Sequence, residues 1–114
     1  MEKEKLVAIG VNYEEGKARF CGQAVLYEKY LLKLFDDDTM EKLEQAMQQD
    51  NYEEAFKLAH NLKGTSGNLS VNKLYNKVCE LVTAFRANEK AEILHMLFEQ
   101  TREIYDEIEV VVRE

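Results

Sequence analysis

His60-Asn61-Leu62-Lys63-Gly64-Thr65-Ser66-Gly67-Asn68-Leu69 decides the reading of this chain, because its apolar spacing is that of a helix and its histidine lies off the apolar side. Advancing about 100° per residue from Ala55, Ala55, Leu58, Ala59, Leu62, Ser66 and Leu69 gather on one face. His60 lies roughly 150° from the centre of that face and is predicted to be exposed. At spacings of three, four and seven its neighbours are Phe56, Lys57, Lys63, Gly64 and Gly67. The imidazole is thus flanked by two cations and by two residues that have no side chain.

Each glycine costs about 1 kcal/mol relative to alanine inside a helix, and bare glycine has no packing role on a solvent face. Gly64 and Gly67 are therefore read as clearing access to His60. Lys63, one turn on, is placed to neutralise an anion attached to the ring. That combination points to a phosphorylatable histidine. An ordinary surface histidine on a helix that frays near Gly64 is the alternative that spacing alone leaves open.

Working outward, the chain has 114 residues, 46% of them hydrophobic and 32% charged, with no proline. These values fit one globular helical domain over residues 1–114. No apolar run approaches the roughly 20 residues that a membrane-spanning helix needs, and Met1-Glu2-Lys3-Glu4-Lys5 is not followed by a signal-peptide core. The formal net charge of −7 argues against a general nucleic-acid binder, which needs a basic footprint. Cys21 and Cys79 have no metal-type spacing and apolar sequence neighbours, so both are expected to be buried reduced thiols. A cytoplasmic location follows from that reading.

Helical periodicity recurs along most of the chain. Segments near 13–20, 23–35, 39–49, 52–68, 72–88 and 90–112 carry apolar stripes, with Asp36-Asp37-Asp38-Thr39 and Asp50-Asn51 as breaks. Thr39 or Asp38 is expected to cap the third segment, and Ser70 or Asn72 the fifth. Long helices on short connections favour antiparallel neighbours. The expected fold is all-α, an antiparallel up-and-down four-helix bundle of the last four segments with one or two additional N-terminal helices.

His60-x-x-Lys63-Gly64-x-x-Gly67, preceded by Ala59 and followed by Leu69 and Leu74, resembles the signature of histidine-containing phosphotransfer (HPt) domains of multistep two-component phosphorelays. The resemblance extends upstream over Gly10-Val11-Asn12, Gly16, Arg19-Phe20, Gly22 and Leu26-Tyr27-x-x-Tyr30-Leu31-Leu32-x-x-Phe35, and continues through Leu81. One position departs from it: the family commonly has glycine where this chain has Ser70.

The resemblance implies a phosphocarrier rather than an enzyme, moving a phosphoryl group between aspartates of response-regulator receiver domains, including those of a hybrid histidine kinase. His60 would be the phosphoacceptor and Lys63 the phosphate-stabilising cation, with Phe56, Lys57, Gly64 and Gly67 at the docking surface. Asn61 and Ser66 are weaker candidates. The neutral imidazole supplies a nucleophilic lone pair, and phosphoryl transfer rests on positioning and charge stabilisation. The receiver would bring magnesium, so no cofactor is expected on this chain, and a monomer is expected. The two upstream helices would pack across the bundle near His60, placing Val11, Phe20 or Leu26 beside Phe56. A helical adaptor that docks receivers without phosphotransfer is the alternative.

Other sites have weak support in the sequence. His95 lacks carboxylates at ligand spacing and is read as structural or solvated. Gly64-Thr65-Ser66-Gly67 follows no strand and lacks the lysine-hydroxyl ending of a nucleotide loop. No nucleophile-base set can be assigned.

Overall fold

Seven helices, Lys3–Ala8 (α1), Tyr13–Arg19 (α2), Ala24–Asp36 (α3), Thr39–Gln48 (α4), Tyr52–Asn68 (α5), Asn72–Arg86 (α6) and Ala91–Val112 (α7), account for most of the computed structural model, which describes residues 1–114. The last four form the bundle. Helix α5 packs between α4 and α6, α6 packs on α7, and α7 returns to α4. Phe85 at the end of α6 meets Tyr52 and Phe56 at the start of α5, as antiparallel neighbours require.

Helix boundaries are set by a repeated local device. Gly10, Cys21, Asp50, Ser70 and Asn88 each have positive φ immediately after a helix end. In each case the amide of that residue and the next one bond back to the last turn; for α5 these are Ser70 N–H to the Gly67 carbonyl at 3.1 Å and Val71 N–H to the Ser66 carbonyl at 3.0 Å. This double closure satisfies carbonyls that the helix leaves unpaired. Ser70 therefore ends α5 and does not cap α6, whose N-cap is Val71 without a side-chain bond. Likewise neither Thr39 nor Asp38 caps α4 through its side chain. Asp37 Oδ1 accepts from Thr39 N–H at 2.7 Å, because Asp38 already has near-helical dihedrals.

One contiguous core runs through the molecule, with Leu43, Leu62, Leu74, Val78, Leu81 and Ile108 almost completely buried. The small Ala55 and Ala59, both fully buried, let α5 lie close to its neighbours. Two buried hydroxyls bond back into their own helices, Ser66 Oγ to the Leu62 carbonyl and Thr101 Oγ1 to that of Leu97, both at 2.7 Å.

The N-terminal helices cover one end of this bundle. Gly16 is buried beneath Tyr27, whose Cζ lies 2.3 Å from where a Cβ on that glycine would sit. Tyr27 in turn donates its hydroxyl to the Leu69 carbonyl at 2.7 Å, tying α3 to the end of α5, and burial holds its phenol well above the ordinary range. Phe35 packs on Tyr105, with ring centroids 4.8 Å apart. Helix α1 is an addition to the sequence expectation: at six residues it is too short to show a period, and it is held by the buried Leu6 and a Lys5–Glu114 ion pair.

The cysteine expectation is corrected. Cys21 is exposed and Cys79 half-buried, and both are free thiols. Cys21 occupies the left-handed position after α2, where the chain turns at the surface, while its neighbour Phe20 takes the inward place against Tyr27 and Tyr30.

Candidate functional site

The rotation of α5 is fixed by Ala55, Ala59, Leu62 and Ser66, all buried, and this turns His60 and Gly64 outward, where both are exposed. His60 borders a cleft of about 510 Å³. Lys63, Gly64 and Gly67 line its α5 side, Glu15 and Arg19 come from α2, and Asn72 and Tyr75 from α6.

Helix α2 reaches the flank of α5 because the segment before it is bonded to the α5–α6 turn. Asn12 N–H donates to the Ser70 carbonyl at 2.8 Å, and Lys73 N–H to the Gly10 carbonyl at 3.0 Å. Gly10 allows this approach: its φ is +102°, and an added Cβ would sit 2.4 Å from Lys73 Cβ. Side chains complete the joint around Glu15. Its Oε1 accepts from Arg19 Nη2 at 3.2 Å and from the buried Ser70 Oγ at 3.1 Å, and its Oε2 from Asn12 Nδ2 at 3.0 Å. Ser70, with φ 56°, holds a conformation that costs most side chains energy. Glycine, which the resemblance leads one to expect here, would have a direct reason in that dihedral, and serine adds a hydroxyl that glycine lacks.

The two glycines differ. A Cβ on Gly64 would meet nothing within 4 Å, so open space does lie over it. A Cβ on Gly67 would meet Tyr75 Cε1 at 2.9 Å and Cδ1 at 3.0 Å. Gly67 thus admits the Tyr75 ring, a packing role that the wheel of a single helix does not show. The Tyr75 hydroxyl has its pKa raised, first by a hydrogen bond with Cys79.

On the other side of His60 the surface is aromatic. The Phe56 ring lies 6.2 Å from the imidazole and 6.2 Å from Phe85, and the Arg86 guanidinium stands over it at 5.7 Å. Lys57 lies outside the cleft and faces Glu53 at 3.9 Å. Of Val11, Phe20 and Leu26, the residues expected beside Phe56, two have other surroundings. Val11 is buried, and Phe20 stacks on Tyr30 at 5.3 Å, in contact with Tyr27. The aromatic groups sit on separate helices, with Phe56 committed to α6. Ser66 is buried and bonded within α5, which removes it from the surface chemistry; Asn61 is exposed.

Glu15, Tyr75 and Arg86 escape the sequence reading because they come from helices other than α5, and Arg19 was visible only as part of the upstream pattern. His95 is structural: its Nε2 lies 2.9 Å from Asp50 Oδ1 and 3.2 Å from the Tyr52 hydroxyl, joining the start of α7 to the α4–α5 turn.

An exposed histidine midway along a bundle helix, bordered by a lysine one turn away and by open space, is the arrangement that the resemblance implies for a helical phosphotransfer module. The family comparison agrees: the Hpt domain matches residues 35–111, and the chain belongs to that family. No curated protein and no solved structure gives a significant match. The matched span begins at the end of α3, so Arg19 and Glu15 lie outside it. Membership assigns the chain a phosphotransfer role in two-component signalling, in a family that interacts with response-regulator receiver domains. No helix is long and apolar enough to cross a membrane.

Proposed function

We propose that this chain carries a phosphoryl group on His60 between aspartates of receiver domains in a multistep relay. The carrying observation is that His60 is exposed at the border of the cleft that Lys63 and Arg19 line, in a chain of the Hpt family. In its neutral form the imidazole offers a ring-nitrogen lone pair. That pair attacks the phosphorus of a receiver phosphoaspartate; the N–P bond forms, the acyl-phosphate O–P bond breaks, and the aspartate leaves as carboxylate. The reverse sequence with a second aspartate delivers the group.

Lys63, half-buried on the same helix, supplies positive charge to the phosphoryl oxygens, and Gly64 admits the receiver surface. Phe56 and Lys57 form the neighbouring contact area. Magnesium and the acidic pocket belong to the receiver in this reading, and the carrier acts as a monomer in the cytoplasm. Its own contribution is position and charge.

The test mixes the chain with isotopically labelled phosphoreceivers from the same cell. His60→Gln abolishes labelling and leaves helical content intact, because surface substitutions change stability by only about 0.5 kcal/mol. Lys63→Ala slows transfer with little change in unfolding. Labelling of the His60→Gln protein at His95 would overturn the assignment, and docking of receivers without any labelling would establish an adaptor instead.

A further inference from the structure

We propose that Arg19 is a second cation for the phosphoryl group on His60, and that Glu15 is the partner it leaves when that group arrives. The inference rests on His60 as the phosphoacceptor.

Arg19 and His60 border the same cleft from different helices, with Lys63 beside them. In the unphosphorylated protein the guanidinium is tied to Glu15 through Nη2 at 3.2 Å. That pair is about half exposed on both sides, so it is weak and readily exchanged. A phosphoryl group brings close to two negative charges and three acceptor oxygens, against one charge on Glu15, and its geometry suits the planar guanidinium fork. Transfer of Arg19 from Glu15 to the phosphoryl oxygens is therefore downhill.

The second half of the device is what happens to Glu15. When Arg19 leaves, Glu15 keeps Ser70 Oγ on Oε1 and Asn12 Nδ2 on Oε2. Both groups are anchored in the α2–α5 joint: Ser70 is fully buried in a fixed left-handed turn, and Asn12 caps α2. The carboxylate therefore stays in place, hydrogen-bonded, after it has lost its cation. Ser70 is in this respect a positioning residue, and its hydroxyl gives a use to a position that strains serine.

The experiment equilibrates the intact chain with phosphoramidate and ammonium at a fixed ratio. The His60 ring nitrogen forms its bond to phosphorus, the P–N bond of phosphoramidate breaks, and ammonia leaves with that electron pair. The labelled fraction at His60, read by mass mapping, gives an equilibrium constant that reports the difference in interactions between the phosphorylated and unphosphorylated states. Arg19→Gln lowers it about fivefold, the scale of a good surface ion pair, and Arg19→Lys restores part of the loss. Glu15→Gln raises it about twofold by freeing Arg19. The double variant matches Arg19→Gln alone, because without Arg19 there is nothing for Glu15 to restrain. Thermal unfolding of each variant separates these shifts from damage to the fold. An unchanged constant in Arg19→Gln, or an equal Glu15→Gln effect with and without Arg19, would overturn the inference. A wild-type His60 that takes no label would instead overturn the phosphocarrier reading.

Discussion

Gly64 and Gly67 lie three residues apart on one helix, yet the same substitution is expected to have different signs at the two. Gly64 has helical dihedrals and open space where a Cβ would go, so Gly64→Ala gains the full helix preference, about 1 kcal/mol. In a domain of this size that raises Tm by about 4 °C. Gly67→Ala gains the same preference, but its methyl sits 2.9 Å from Tyr75 Cε1, well inside the 3.4 Å at which ordinary contact begins. Overpacking of this kind costs about 1–3 kcal/mol, leaving a net change between about zero and a 2 kcal/mol loss. Urea unfolding monitored by circular dichroism measures both, and Tyr75→Ala supplies the control: with the ring gone, Gly67→Ala becomes stabilising. If Gly67→Ala stabilises as much as Gly64→Ala while Tyr75 is present, the packing explanation of Gly67 is wrong. Function separates the two glycines as well. Gly64→Gln keeps the fold and labelling by a small phosphodonor but loses labelling by receivers; undiminished transfer from receivers would show that the open space over Gly64 is not a docking clearance.

Tyr27→Phe removes the hydroxyl from the buried Leu69 carbonyl and destabilises by about 1–2 kcal/mol, measured by denaturant unfolding, while His60 still takes phosphate. Ser70→Gly relieves the positive-φ strain but loses the bond to Glu15, whereas Ser70→Ala loses the bond and keeps the strain; the glycine variant should be the more stable by about 1 kcal/mol. The Asp50 carboxyl is held below its ordinary value, first by the hydrogen bond from His95 and then by that from Tyr52. Its contribution to stability is therefore present above the unfolded-state pKa and fades as pH falls through the folded-state value; His95→Ala should move the Asp50 titration, followed by NMR, upward toward the ordinary value.

The bundle was legible because each long helix carries its own apolar stripe: Ala55, Ala59 and Leu62 fix the face of α5, and the same positions fix the exposure of His60. Periodicity placed the ends of all six expected helices within two residues of where the structure has them. It missed α1, which has a single fully buried leucine, and it misread Ser70, because serine is a good N-cap by type while the left-handed position it fills, which favours glycine, leaves no mark in the spacing. A helical wheel also assigns residues to inside or outside of one helix only. Gly67 faces outward on α5 yet lies under a ring from α6, and Phe56 faces outward yet packs on Phe85. The cleft depends on backbone bonds from Gly10 and Asn12 to the α5–α6 turn, which no local spacing encodes.

The distribution of charge fits the proposed carrier role. The chain is strongly acidic, at −7, and the groove between α4 and α7 collects Glu44, Glu99, Glu103, Asp106 and Glu107 around Arg102. A receiver presenting an acidic phosphorylation pocket is repelled from such a surface. Around His60 cations outnumber carboxylates, with Lys63, Arg19 and its partner Glu15 in the cleft and Arg86 over Phe56. Because like-charge contacts suppress wrong orientations while complementary ones speed encounter, the acidic background and the few cations act together. In the proposed function, the background would disfavour approach elsewhere, and the cations would favour approach to the face where His60 is exposed.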